Sequence, residues 1–142
     1  MITKTPRAVA EDLIRRAPSR HWLRALTDEL DRKVRAEPLE RLMTLWALSG
    51  AEAGRVFGVS RQAFAKWLEN GVPAERAPAV ADLAAATDLL DRHVRRERIP
   101  AVVRREAERL GGRSLYEMAC AGEHRAVLAA VRTMFDLGRV QP

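Results

Sequence analysis

Length, composition and charge limit what this chain can be. It has 142 residues, of which 47% are hydrophobic, 31% charged and 5% aromatic, enough for one compact core or two small linked cores but too few for a large multidomain enzyme. No apolar run approaches the ~20 residues that cross a bilayer, and residues 1–18 lack the apolar stretch of a signal peptide. We therefore expect a soluble, cytoplasmic protein without membrane contact. Cys120 is the only cysteine, which excludes an internal disulfide and a cysteine zinc site.

The charge is unevenly distributed along the chain. The 25 basic residues exceed the 19 acidic residues and give a net charge of +6, a sign that favours a polyanionic partner only weakly. Residues 1–36 contain nine basic and five acidic residues, whereas residues 37–98 contain nine of each. The N-terminal excess is compatible with contact to a polyanion, but a solvated helical face is the simpler explanation.

The pattern of apolar residues is helical throughout. They recur with a period near 3.6, and strand-like alternation is nearly absent, so we predict an all-α fold of about nine helices. We divide it into an N-terminal helical extension over residues 1–36, a helix-turn-helix domain over residues 37–97 and a small helical domain over residues 98–142.

The extension is predicted to form two amphipathic helices, over residues 7–17 and 19–36. The Glu37-Pro38 step is expected to end the second helix, because proline has no amide hydrogen to donate. A third, mostly buried helix then follows over residues 38–48. The first helix has Val9, Leu13 and Ala17 on one face, and the second turns Trp22 or Leu23, Leu26, Leu30 and Val34 inward.

Residues 48–71, LSGAEAGRVFGVSRQAFAKWLENG, predict two short helices joined by a tight turn. Ser49 and Glu52 have the spacing of a capping box. Gly58 tolerates the left-handed conformation that a sharp turn requires, and Ser60 can cap the next helix. This order of signals is typical of a helix-turn-helix.

The helix after the turn has one polar and one apolar face. On a helical projection the outward arc contains Arg61, Gln62 and Lys66, and the opposite arc is apolar. Arginine can bind guanine bidentately and glutamine can bind adenine, while Ser60 is positioned for a phosphate contact. The sequence therefore predicts binding of double-stranded operator DNA by a homodimer that spans two half-sites. The alternative is a plain helical hairpin with a polar outer face, which Glu69 on the outward arc mildly favours.

Three further segments complete the prediction. A long helix over residues 78–96 forms either core beneath the helix-turn-helix or a dimer seam. A helix over residues 99–110 ends at Gly111 and Gly112. A short helix capped by Ser114 and a last helix over residues 123–137 then form a C-terminal hairpin.

Two parts of the sequence resemble a known family. GVSRQAF, WLENG and LWALSG together resemble Xre-type helix-turn-helix repressors. Residues 110–135, LGGRSLYEMACAGEHRAVLAAVRTMF, resemble the toxin-binding domain of Xre/MbcA/ParS-type antitoxins through their GGR-S-L and A-G-E-x-x-x-V-L pattern. The resemblance spans about residues 39–137, with both modules in the family's order. Leu115 departs from the family, which often has proline after the GGR-S/T motif, and Val102-Val103 occupy a helix where the family often has tryptophan.

The resemblance implies a DNA-binding antitoxin of a type II toxin–antitoxin pair. Such proteins neutralise RES-domain toxins, which degrade NAD, and repress their own operon. We accordingly expect toxin contact from the hairpin surface around Arg113, Tyr116 and Arg125. Gly138 frees the chain from the last helix, so that Arg139 can reach a cleft built to hold dinucleotide phosphates. A frayed terminus without a partner is the alternative.

The sequence contains no motif of an enzyme. A glycine-rich phosphate loop, a His-Glu-x-x-His pair and a G-x-S-x-G elbow are all missing, and His124 is expected to be a surface residue. We therefore predict no catalytic residue, no metal and no cofactor. Two other functions stay open: a free-standing helix-turn-helix transcriptional regulator without a toxin partner, and a helical interaction module that binds no DNA.

Overall fold

The computed structural model describes residues 4–136, and every regular element within that range is helical. The predicted all-α fold is therefore confirmed for this part of the chain. None of these helices is long and apolar enough to span a membrane. Three short 3-10 turns and one isolated β-bridge accompany the α-helices. The helices are α1 (Pro6–Arg16), α2 (Arg20–Trp46), α3 (Gly50–Val56), α4 (Arg61–Asn70), α5 (Ala77–His93), α6 (Ile99–Arg104), α7 (Leu115–Cys120) and α8 (His124–Asp136).

The chain divides into two units, with the boundary between Val34 and Arg35. The first unit contains α1 and the first part of α2. Thr5 caps α1 by accepting a hydrogen bond from the Ala8 amide at 3.1 Å, and ion pairs such as Arg7–Glu11 stabilise its polar face. No residue described in this unit is buried. The prediction that the apolar face of the second helix turns inward is therefore wrong, because helices that pack on each other so little offer no interior.

Helix α2 runs without a break through Pro38. The predicted stop at the Glu37-Pro38 step is therefore wrong, as is the separate third helix. Proline cannot donate the helical hydrogen bond to the Val34 carbonyl, but Val34 is exposed, so water can satisfy that oxygen. Burial of the residues that flank the proline in the second unit outweighs the lost bond. These residues are Ala36, Leu39 and Leu42.

The second unit is built around one hydrophobic cluster that runs from α2 to α8. Helix α5 packs along α8, and α3 packs against α4. The Trp46 indole donates a hydrogen bond to the Thr87 hydroxyl at 3.1 Å, and that hydroxyl donates to the Leu83 carbonyl at 2.7 Å. The apolar face of α5 is thus core and not a free dimer seam. Residues of the predicted helix-turn-helix domain and of the C-terminal domain share this cluster.

An ionic network explains the acidic residue on the inner side of α5. Arg41 of α2 pairs with Asp88 and also donates to Asp91 at 2.6 Å. Arg96, in the 3-10 turn after α5, donates to the same Asp91 carboxylate at 2.8 and 3.1 Å. These hydrogen bonds hold the pKa of Asp91 below its usual value. The network joins α2 to α5 and to the turn that leads into α6.

The segment before α7 is less helical than predicted. Helix α6 ends at Arg104, so the predicted helix over residues 99–110 is wrong in its second half. Ala107 forms a β-bridge with Arg113, to whose carbonyl its amide donates at 3.2 Å. Gly111 and Gly112 both have positive φ, 73° and 76°, so the chain turns back before another helical turn can form.

Candidate functional site

Helices α3 and α4 form the predicted pair of short helices joined by a tight turn. Ser49 and Glu52 form the predicted capping box, with reciprocal hydrogen bonds of 3.1 and 3.0 Å. Gly58 has the left-handed conformation that was predicted, with φ 68°. Gly54 is a requirement that sequence reasoning missed: a Cβ there would lie 2.7 Å from the Val59 carbonyl oxygen. Only glycine therefore allows α3 to approach the turn this closely.

Helix α4 presents the four predicted DNA-contacting residues together. Ser60 is its N-cap and accepts a hydrogen bond from the Ala63 amide at 3.0 Å. Phe64 and Trp67 are buried on the inner face. The opposite face is exposed, as predicted, together with the cap residue. The exposed residues are the cap Ser60 and, on the outer face, Arg61, Gln62, Ala65, Lys66 and Glu69.

Both ends of α3 are held by side chains from the C-terminal part of the chain. At its start, Arg104 donates to the Glu52 carboxylate at 2.7 Å. At its end, His124 Nε2 lies 2.7 Å from the Val56 carbonyl oxygen. Because a carbonyl oxygen only accepts hydrogen bonds, Nε2 carries the proton here. These contacts join residues 52 and 68 positions apart in the chain, so no local signal in the sequence could have predicted them.

His124 differs from its predicted role as a surface residue. It is half-buried, and its ring stacks on that of Phe57 with centroids 5.7 Å apart. Phe57 in turn contacts Trp67 edge-on at 5.6 Å. The first residue of α8 therefore belongs to the aromatic cluster beneath α4.

The Glu52 carboxylate is strongly anionic. Its pKa falls from 4.5 to about 2, mainly because it accepts a hydrogen bond from the Ser49 amide and next because it accepts one from Arg104. The same carboxylate thus completes the α3 cap and anchors α6. The guanidinium of Arg104 also lies 4.9 Å from the centre of the Tyr116 ring, which places the helix-turn-helix and a predicted toxin-contacting residue in one connected set of contacts.

The predicted partner-binding residues differ in how exposed they are and in whether their side chains already have partners within the chain. Arg113 is half-buried and pairs with Glu123, and its Nε donates to the Leu110 carbonyl at 3.4 Å. That pairing lowers the pKa of Glu123 and orders the loop before α7. Tyr116 is half-buried, and burial raises its pKa. Arg125 is exposed in the first turn of α8. Arg139 lies outside the described residues.

Within residues 4–136, no group of three or more histidine, cysteine, aspartate or glutamate side chains is arranged to hold a metal ion. Cys120 is half-buried, and its pKa is raised chiefly by burial.

Comparison with known proteins identifies the fold. No family model and no curated protein matches the sequence. Among solved structures, the chain is similar to a chain of the crystal structure of the M. tuberculosis MbcT–MbcA toxin–antitoxin complex. The TM-score is 0.56 at 22% sequence identity, and the match covers 70% of this chain and 91% of the other. This chain therefore has the fold of a component of a toxin–antitoxin complex, which confirms the fold that the sequence resemblance implied.

Proposed function

We propose that this chain is a DNA-binding antitoxin of a type II toxin–antitoxin pair. It represses its own operon through α4, and its C-terminal part neutralises a RES-domain toxin that degrades NAD. One observation carries the proposal: a capped recognition helix with Arg61, Gln62 and Lys66 on its exposed face belongs to a chain with the fold of a toxin–antitoxin component. The toxin class comes from the sequence resemblance of residues 110–135.

The DNA contact follows from the polarity of α4. Its N-terminal turn presents the positive end of the helix dipole beside the Ser60 hydroxyl, which suits a phosphate. Arg61 and Gln62 follow directly and reach base edges in the major groove, where arginine reads guanine and glutamine reads adenine. Glu69 is exposed in the last turn, and because its carboxylate would repel phosphates, this proposal requires that end of the helix to lie away from the DNA backbone. One such helix gives too little interface for operator affinity, so two copies bind half-sites about 34 Å apart.

The toxin contact is proposed for the α7–α8 hairpin. Arg125 supplies an exposed cation at the start of α8, while Arg113 acts indirectly by fixing the loop through its pair with Glu123. Tyr116 adds an aromatic surface beneath Arg104. On this proposal Arg139, which lies outside the described residues, contacts the NAD cleft of the toxin. Neutralisation on this proposal is by surface complementarity and involves no chemistry on the chain itself.

A titration of labelled upstream DNA at two salt concentrations tests the DNA half of the proposal. Arg61→Ala removes a bidentate contact worth about 1–3 kcal/mol, so affinity should fall roughly 5- to 150-fold and discrimination at one base pair should relax. Arg132→Ala is the control, since Arg132 is an equally charged, exposed residue on α8. If both variants lose the same affinity, the loss is one of charge and the assignment of Arg61 as a base reader is wrong.

Co-expression with the toxin of the adjacent reading frame tests the other half. The full chain should preserve cellular NAD, and truncation after Leu137 should restore NAD loss while DNA binding persists. If the truncated chain neutralises the toxin equally well, inhibition comes from the hairpin and not from the tail. If the neighbouring frames encode no RES-like protein, the chain is instead a free-standing transcriptional regulator.

A further inference from the structure

Of the two glycines in α3, the backbone requires Gly54 but not Gly50. Outside its own helix and its chain neighbours, a Cβ at Gly50 would have only two described atoms within 4 Å, the Cγ and the Nε of Arg61. Gly50 is also not among the glycines with positive φ, so its conformation is open to any residue. Because glycine is a poorer helix former than alanine, the fold alone does not explain a glycine at this position.

The side chain of Arg61 lies across the space that a side chain at position 50 would occupy. The added Cβ would be 3.6 Å from Cγ and 3.7 Å from Nε, so the stem of the arginine, and not only its tip, runs over the start of α3. These are ordinary van der Waals distances, so a methyl group fits beside Arg61. The two methyl groups of valine fill two of the three staggered positions beyond Cβ and would crowd the arginine.

The guanidinium of Arg61 is otherwise unrestrained. Within residues 4–136 no hydrogen bond or ion pair holds it, and Arg61 is exposed, so its N–H groups are available to a ligand. Its backbone is fixed, because Arg61 is the first residue of α4 and follows the cap Ser60. The contact with Gly50 is therefore the described feature that sets the direction of the side chain.

We propose that Gly50 is a positioning residue for DNA recognition, because the absence of a side chain there lets Arg61 lie across the start of α3 and so sets the base pair that its guanidinium reaches. The inference rests on the proposed function for the ligand, double-stranded DNA, and on the contact with Arg61 for the role of Gly50. Bidentate reading of a guanine edge needs both donors in a fixed orientation, so a displaced Arg61 loses this contact. Gly50 itself does not touch the DNA.

Titration of labelled upstream DNA with the full-length Gly50→Val variant tests the inference. Operator affinity should fall at least about fivefold, and the preference at the base pair read by Arg61 should relax. Gly50→Ala is the matched control, since its methyl group fits beside Arg61 and should leave affinity and base preference unchanged. Urea unfolding of both variants verifies that they are folded. A Gly50→Val protein with wild-type affinity and base preference would overturn the proposal.

A double variant distinguishes an effect through Arg61 from a direct obstruction of the DNA. Gly50→Val combined with Arg61→Ala should bind the operator no more weakly than Arg61→Ala alone, because the valine acts only through the arginine. A further loss of affinity in the double variant would mean that the valine itself meets the DNA, and the positioning role would be wrong.

Nitrogen-15 relaxation of the arginine Nε groups, measured without DNA, separates this inference from the proposed function. The Nε of Arg61 should have a higher order parameter than that of Arg132, which is exposed on α8. Gly50→Val should shift the Arg61 resonance and leave that of Arg132 in place. An Arg61 signal as mobile as that of Arg132, or one that the valine does not move, would overturn the inference. A wild type that binds no upstream DNA would instead overturn the proposed function, and the recognition role with it, while the relaxation data would still report the contact between Arg61 and Gly50.

Discussion

At the scale of single residues, glycine has two different roles in α3. Gly54 faces the backbone of the following turn, where an added Cβ would lie 2.7 Å from the Val59 oxygen. Gly50 lies one helical turn earlier, and an added Cβ there would meet only the side chain of Arg61, at 3.6 Å. Sequence reasoning interpreted the left-handed Gly58 correctly because φ preference is local, but it had no access to the close approach at Gly54.

We predict that Gly54→Ala destabilises the protein by about 1–3 kcal/mol, because the helix and the turn must separate. Alanine is intrinsically the better helix former by roughly 1 kcal/mol. A loss of stability on Gly54→Ala would therefore indicate the steric clash with the turn. Gly50→Ala should be neutral or stabilising. Urea unfolding of both variants provides the measurement. Equal effects would mean that α3 does not approach the turn as closely as described.

Glu52 gives a prediction for pH. Its folded pKa of about 2 lies below its ordinary value of 4.5, so its ionised form contributes stability that is complete above pH 4.5 and is lost as pH falls toward 2. Glu52→Gln should therefore be less stable than wild type at neutral pH, and the two proteins should converge near pH 2. Thermal unfolding over this range measures the difference. Glu97→Gln, a change at an exposed carboxylate, is the control, and its unfolding temperature should follow the wild-type dependence on pH. If the unfolding temperature of Glu52→Gln also stays at a constant distance from wild type over this range, the prediction is wrong.

At the scale of elements, local signals predicted some helices correctly and not others. The capped starts of α3, α4 and α7 at Ser49, Ser60 and Ser114 were all predicted, because a cap and its amide are three residues apart. The stop at Pro38 was predicted by an equally local rule and is wrong. Packing of Leu39 and Leu42 into the core extends α2 across the proline, because burial of apolar side chains outweighs the low helix propensity of one residue.

This continuity predicts an unusual stabilising substitution. Proline inside a helix costs about 3 kcal/mol, of which up to ~1 kcal/mol is offset by its restriction of the unfolded chain. Pro38→Ala should thus raise the free energy of unfolding by about 2 kcal/mol. Pro78 lies in the first turn of α5, where the missing amide hydrogen is not needed, so Pro78→Ala should give no gain. Denaturant unfolding distinguishes them, and equal responses would indicate that α2 is interrupted at Pro38.

At the scale of the molecule, the second unit joins two proposed functions in one core. The aromatic cluster beneath α4 includes His124 of α8, and Glu52 of α3 pairs with Arg104 of α6. The proposed boundary between residues 97 and 98 thus separates the proposed DNA contact from the proposed toxin contact, while both parts share one hydrophobic core. The exposed residues that carry these roles nevertheless lie on different elements.

Separate exposed residues should give separable defects. Arg61→Ala should lose operator affinity and keep neutralisation of the toxin, whereas Arg125→Ala should keep operator affinity and weaken neutralisation. Both residues are exposed, so neither substitution should alter unfolding. Operator titration and cellular NAD, measured on the same two variants, make the comparison. A single variant that loses both activities with an unchanged fold would contradict the assignment of these functions to distinct surfaces.

The sequence by itself determined the helical class, the capped starts of α3 and α4 and the outward face of α4, because each depends on periodicity or on residues within one helical turn of each other. Tertiary structure alone decided which faces are covered. It buried the α5 face against α8, left Leu13, Ile14, Leu30 and Val34 of α1 and α2 exposed, and brought Arg104 and His124 to the ends of α3 across 52 and 68 residues. A local pattern states that a face is apolar, but what covers that face is decided by contacts between segments far apart in the chain, which periodicity does not encode.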